Sequence, residues 1–369
     1  MGSMYMRLLH LHPSRSSQAQ SLLLQLPVEL LLEISDWLPS ASAVALALTC
    51  TSLFGPIFPR NRLQGVQLED LLRLLERDLS KQLFFCQPCQ TLHHFSPYWR
   101  PGYQDKFNAP CKPKVTMRDT FYVHFHLARL AINKHLLGGG LSLEQLAGSF
   151  NVSACRGSWK INFTARVIQD ELFLSVSHTL SLTGMGADNR RALQRRDHGI
   201  CHHLTTHPPR TRLNVSTWSS SGMIYRQRVQ GGHFYAKPQR IMIPELGPED
   251  SQSLREYQDV QGSCYTCLTD YSITTRRRGF NDVDEPTKVG GFVFNPYMHT
   301  EPTKESWDIV IIAYHQLGPC RSQFDWKWLT YATQLPTFTQ DDLDVQLLEK
   351  RSENGPYALG SVRARWDAV

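Results

Sequence analysis

Leu26-Pro-Val-Glu-Leu-Leu-Leu-Glu-Ile-Ser-Asp-Trp-Leu38 is the stretch on which the reading of this chain turns. Pro27 fits the first turn of a helix, where a missing N–H leaves no bond unmade. Glu29 sits where a carboxylate favours the positive end of the helix dipole. Leu30, Leu31, Ile34, Trp37 and Leu38 recur at three- and four-residue steps, which predicts a helix with a rich apolar stripe. Pro39 and Ser40 stop it. Ser42 is placed to cap a second helix, Ala43 to Leu53, whose Ala43, Ala45 and Ala47 allow close packing. A hairpin of two such helices has too little interior to bury Leu30, Leu31, Leu32 and Ile34 together. Part of that surface is expected to meet a partner, in this chain or another.

Outward from this stretch the pattern changes twice. Residues 1–20 show no apolar period and are expected to be disordered. After the helical module, 21–60, Pro56 and Pro59 mark a turn. Gln67 to Ser80 then carries Leu68, Leu71, Leu72, Leu75 and Leu79 on one helical face, a connector within 61–82. From 83 to 338 two-residue alternation dominates. Leu172-Phe-Leu-Ser-Val-Ser-His-Thr-Leu-Ser-Leu182 alternates aliphatic and small polar residues, as a half-buried strand does. Trp159, Ile161, Phe163, Ala165 and Val167 precede it in the same rhythm, and Gln169-Asp170 between them predicts an antiparallel hairpin. Tyr265 to Thr275 and Trp307 to Tyr314 are further strands, the second apolar on both faces and so central to a sheet. Helical pieces intervene: one from a cap at Thr116 to Leu137, ended by Gly138-Gly-Gly140, and a short one opened by Ser142 with Gln145. Residues 339–369 read as a helix begun by Thr339 and Asp342, carrying Leu343, Leu347 and Leu348, and then a tail or strap. The fold class expected is α+β: a helical hairpin and connector, then a β-rich mixed domain.

The 41% apolar and 20% charged composition is that of a globular protein. No apolar run is long enough for a transmembrane helix, and no secretory signal is evident. Nine cysteines without an export signal point to a reducing, intracellular compartment, cytoplasm or nucleus, where paired cysteines are more often metal ligands than disulfides. Cys86-Gln-Pro-Cys89 and Cys264-Tyr-Thr-Cys267 each have the two-residue spacing that aims both sulfurs at one tetrahedral ion. Cys201 with His203 (or His202) would complete four ligands with Cys264 and Cys267. Cys111 with His93 or His94 would complete four with Cys86 and Cys89. Spacing leaves two structural zinc sites, one shared site and none all open, since buried free cysteines beside surface histidines are common. Cys50, Cys155 and Cys320 have no partner spacing.

The motif Leu26-Pro27-x-Glu29-Leu30-Leu31-x-x-Ile34-x-x-x-Leu38, followed by Leu46-Ala47-Leu48-Thr49-Cys50-x-x-Leu53, resembles an F-box. More loosely, Cys86-x-x-Cys89-x-x-Leu92-His93, Ala128-Arg129-Leu130-Ala131-x-Asn133-Lys134-His135, Cys264-x-x-Cys267-x-Thr269-Asp270-Tyr271 and Phe324-Asp325-Trp326-Lys327-Trp328 resemble fungal F-box proteins with a cysteine-containing β-rich region. The resemblance implies that Leu26, Pro27, Glu29, Leu30, Leu31, Ile34, Leu38, Leu48 and Leu53 dock on the Skp-type adaptor of an SCF-type ubiquitin ligase. It implies that the remainder presents a protein substrate. The alternative is a zinc-stabilised interaction or regulatory module whose helices pack within their own domain.

Enzymatic signatures are missing: there is no G-x-S-x-G, P-loop, H-E-x-x-H or dinucleotide-binding glycine pattern. Gly138-Gly-Gly140 follows a helix, so it terminates rather than cradles phosphate. The expectation is a non-enzyme. Arg190-Arg191 and Arg195-Arg196 form a short basic segment, but a net charge of +6 spread along the chain lacks the concentrated basic face that phosphate contacts need. Nucleic acid is not an expected partner, nor is a membrane.

Overall fold

The computed structural model describes residues 22–49, 51–57, 63–95, 123–154, 157–184, 199–201, 204–205, 226–228, 234–236, 239–240, 254, 256–264, 267–278, 305–332 and 357–369. It divides into two compact units, Met1–Leu79 with Gln87–Leu92, and Ser80–Cys86 with His93–Val369.

The first unit is helical. A 3-10 turn, Leu22–Gln25, leads to α1 (Val28–Trp37), α2 (Ser40–Ala47), α3 (Thr51–Ile57) and α4 (Gly65–Leu79). Pro27 precedes α1 and Glu29 lies in its first turn. The second helix differs from expectation at both ends. Pro39, not Ser42, is its cap, because the Pro39 carbonyl already accepts from Ser42 and Ala43. It stops at Ala47 rather than at Leu53. There the Thr49 hydroxyl donates to the Leu46 carbonyl at 2.7 Å, a local bond that competes with the helical ladder. Pro56 lies inside α3 instead of marking a turn. Two small cores result. Leu31, Ala47, Leu53 and Ile57 form one, with Leu23, Leu26 and Leu46 against it. Ala41, Val44 and Leu71 form the other, with Leu48, Leu74 and Leu75.

The second unit is built on six antiparallel strands: β3 (Gly148–Ala154), β4 (Gly157–Ile168), β5 (Glu171–Gly184), β11 (Tyr257–Ser263), β12 (Thr269–Arg277) and β13 (Glu305–Gly318). Their order is β11-β12-β13-β5-β4-β3. Helices with antiparallel sheets make this an α+β arrangement. The expected β4–β5 hairpin is present, and Gln169 and Asp170 turn it with φ of 52° and 59°. Two residues at positive φ match the right-handed strand twist of such a hairpin. β13 is interior to the sheet and buried on both faces. Trp307, Ile309, Ile311, Ala313 and Leu317 enter the main core, while Tyr314 enters a smaller one with Phe173, Leu268, Val362 and Trp366. Strands β3 and β11 carry no alternation strong enough to predict. Shorter strands are β1 (Leu83–Cys86) paired with β2 (Thr91–His94), β6 (Gly199–Cys201) with β7 (Leu204–Thr205) and β10 (Gln239–Arg240), and β8 (Arg226–Arg228) with β9 (Phe234–Ala236).

Helix α5 (Phe125–Leu137) covers the main face, with every residue from Phe125 to Asn133 buried. His124, not Thr116, precedes it; Thr116 and the helix expected from Thr339 lie outside the described residues. Gly138 ends α5 at φ 75°, a left-handed cap that glycine adopts freely. α6 (Leu143–Leu146) has the expected capping box of Ser142 and Gln145. After β13 come α7 (Trp326–Tyr331) and, in place of a tail, α8 (Ser361–Asp367). α8 is anchored by Asp270 of β12, whose buried carboxylate accepts from the backbone N–H of Val362 at 2.8 Å, Arg363 at 3.0 Å and Gly360 at 3.2 Å.

Two buried groups on the sheet set measurable behaviour. Asp270→Ala leaves those amides without their acceptor. It should lower stability by about 1–3 kcal/mol and speed hydrogen exchange in the 357–369 peptides ahead of the rest of the sheet. Burial holds the His315 imidazole at about 4, with Cys264 pulling weakly the other way. The unfolded chain, at about 6.5, therefore binds a proton more readily. This contribution is intact above pH 6.5 and is lost as pH falls from there toward 4. The urea midpoint should decline over that interval by up to about 3 kcal/mol in free-energy terms, and His315→Gln should flatten the decline.

Candidate metal centre and exposed helix

Cys201, Cys264 and Cys267 come together although 63 residues separate the first two in sequence. Their sulfurs all lie within 4.8 Å of one another. Cys201 ends β6, and Cys264 and Cys267 flank the turn from β11 into β12. That turn is tied by Cys264 N–H to Thr269 O and by Thr269 N–H to Cys267 O, each at 2.8 Å. Cys264 and Cys267 are buried, and Cys201 is partly exposed. Burial and the two neighbouring thiols push the Cys201 thiol well above its ordinary range. The Cys201 thiol thus resists ionisation by itself, and a bound cation reverses that preference. The donor set fits zinc. Bonds of about 2.3 Å at tetrahedral angles hold two sulfurs about 3.8 Å apart, a spacing the cluster can reach with small side-chain shifts. His202 and His203, expected to supply the fourth ligand, lie outside the described residues.

Cys267 also touches a group that spacing did not reveal. Its Sγ is 3.1 Å from Thr269 Oγ1, which is 2.9 Å from His315 Nδ1. Thr269 and His315 are direct partners across the β12–β13 ladder. Their adjacency is therefore a product of register, invisible until the two strands are paired.

The β1–β2 hairpin brings together Cys86, Cys89 and His93, again with donor atoms within 4.8 Å; His94 is exposed. Helix α5 contributes a histidine that the sequence reading did not group with these cysteines. His126 Nε2 lies 3.5 Å from Cys86 Sγ, close to the roughly 3.6 Å that a shared tetrahedral zinc would impose. Burial first, and then His124, His93 and Arg129, hold His126 at about 4, so it is a neutral imidazole. Against this, Cys89 is disulfide-bonded, whereas Cys86 is a free thiol. A sulfur in a disulfide is no thiolate donor, which makes this the weaker of the two donor sets. Cys111 lies outside the described residues. Cys320 is buried and makes only long contacts to the Leu317 and Gly318 carbonyls, a structural thiol.

The first unit presents a different kind of surface. With 3.6 residues per turn, Leu31, Ser35 and Leu38 share the side of α1 turned to its own core, and only Leu31 is fully buried. Leu30, Ile34 and Trp37 fall together on one exposed flank, Trp37 at 84%. Val28 and Leu32 are exposed on the other flank, and Glu29, Glu33 and Asp36 occupy the outer face between them. Of the nine residues the F-box resemblance assigns to docking, Pro27, Glu29, Leu30 and Ile34 are exposed, while Leu26, Leu38 and Leu48 are half-buried. Leu31 and Leu53 are buried in the module's own core, and Val28 and Leu32 are exposed.

Among the described residues no helix is long and apolar enough to cross a membrane. No protein-family model, no curated protein and no solved structure matches this chain.

Proposed function

We propose that this protein is an F-box-type substrate receptor. In this reading α1 and the turn before it dock on a Skp-type adaptor of an SCF-type ubiquitin ligase, and the β-rich unit presents a protein for modification. The observation that carries it is the exposed line Leu30, Ile34 and Trp37 on a helix that buries a single residue completely. An apolar line at i, i+4 and i+7 is what a helix laid in a partner's groove uses as anchors. Tryptophan at its end is the side chain most often found to dominate such contacts. The receptor itself supplies proximity: holding two proteins together raises their effective concentration.

Zinc belongs to the same reading as a structural element. Cys201, Cys264 and Cys267 hold it, with His203 or His202 as the fourth ligand, and it closes the turn that leads into β12. A zinc-stabilised interaction module without a ligase role is the second reading. The convergence of three thiols favours it as much as it favours the first, and only adaptor capture separates them.

Full-length protein should retain a purified Skp-type adaptor. Ile34→Asp with Trp37→Ala should abolish capture, as should Leu26→Asp with Pro27→Ala. The first pair lies on the surface and should move the urea midpoint by no more than about 0.5 kcal/mol per site, so unchanged capture would remove the receptor reading. Metal analysis should find stoichiometric zinc that Cys264→Ser or Cys267→Ser removes and Cys320→Ser retains.

A further inference from the structure

The contacts beside the three-thiol centre form a chain with a direction. Cys267 Sγ, Thr269 Oγ1 and His315 Nδ1 follow one another at 3.1 Å and 2.9 Å. All three residues are at most 3% exposed, so bulk water does not compete for these atoms. The threonine hydroxyl has one proton and donates to one side only. While Cys267 is a thiol, the chain can run either way. A metal-bound thiolate has no proton and can only accept, which leaves one arrangement that keeps both contacts as hydrogen bonds. The Thr269 hydroxyl must then donate to Cys267 Sγ, and its oxygen is free to accept from His315.

We propose that Thr269 and His315 are positioning residues for the metal centre, with His315 held as the neutral Nδ1–H tautomer that donates to Thr269 Oγ1 while Thr269 donates to the Cys267 thiolate. This rests on the zinc reading above. The imidazole stays neutral throughout; the one proton lost on loading is the thiol's, which leaves for solvent as metal-bound cysteines require. The chain does two things for the metal. It supplies a hydrogen bond to the Cys267 sulfur, and it ties that sulfur to β13. Such outer contacts fix ligand orientation, and their loss typically costs 10- to 100-fold in metal affinity.

The test uses the full chain, reduced and loaded with zinc. Its imidazole nitrogen spectrum, with the His315 signal identified by its loss in His315→Gln, should show the proton on Nδ1. A proton on Nε2 in the loaded protein overturns the proposal. In competition with a chelator, Thr269→Val should bind zinc 10- to 100-fold more weakly and Thr269→Ser close to wild type. With cobalt in place of zinc, Thr269→Val alone should shift the sulfur-to-metal charge-transfer band. Wild-type affinity in Thr269→Val also overturns it. If Thr269→Val fails to fold, the tautomer and a Thr269→Ser variant that binds as weakly as an unsupported site still decide against it or for it. A wild-type chain that takes up no zinc defeats the underlying metal reading instead, a result distinguishable from all of these.

Discussion

The pairing register of β12 against β13 is the constraint on which the second unit depends. Thr269 faces His315 and Arg277 faces Trp307, without a break between. Because side chains alternate faces at every residue, a slip by one position would exchange the two faces entirely. Ile309, Ile311 and Ala313 would leave the main core, and Tyr314 would leave the cluster it shares with Trp366. The cost of exposing that much aliphatic surface, about 25 cal/mol per Å², is what holds the register. The same register decides that Thr269 and His315 meet beside Cys267. Packing and candidate chemistry thus answer to a single geometric choice.

The helical unit obeys a weaker constraint. Its cores are small, and Leu31, Leu53, Ala47 and Ile57 satisfy one of them almost alone. A helix that needs only one buried residue to hold its place keeps most of its girth for something else. On α1 that girth is apolar on two flanks and acidic between them. An exposed Leu or Trp taken singly has no meaning; Leu30, Ile34 and Trp37 in line along one flank form a surface.

The elements that periodicity marks strongly were legible in the sequence. The β4–β5 hairpin, the central β13, α4 and the Ser142 capping box all follow from local residue order, because each depends on contacts only a few residues apart. Grouping Cys201 with Cys264 and Cys267 was also within reach, since the C-x-x-C spacing flags the pair and leaves few candidates for a third donor. What stayed hidden has a common cause. His126 beside Cys86, Thr269 against His315, and Asp270 under α8 are meetings of residues between 40 and about 90 positions apart, made by tertiary packing. No short window contains both partners. The early start of α2 at Pro39 and its stop near Thr49 were lost for the opposite reason. There a single backbone or hydroxyl bond outweighs a propensity summed over a turn.

The distance in sequence between Cys201 and Cys264 has its own consequence. An ion shared by the two would cinch a stretch of some sixty residues at its base, as a drawstring closes a bag. The entropy of closing such a stretch grows only with the logarithm of its length, about 0.6 kcal/mol for each doubling. Such a closure would cost little more across a long stretch of chain than across a shorter one.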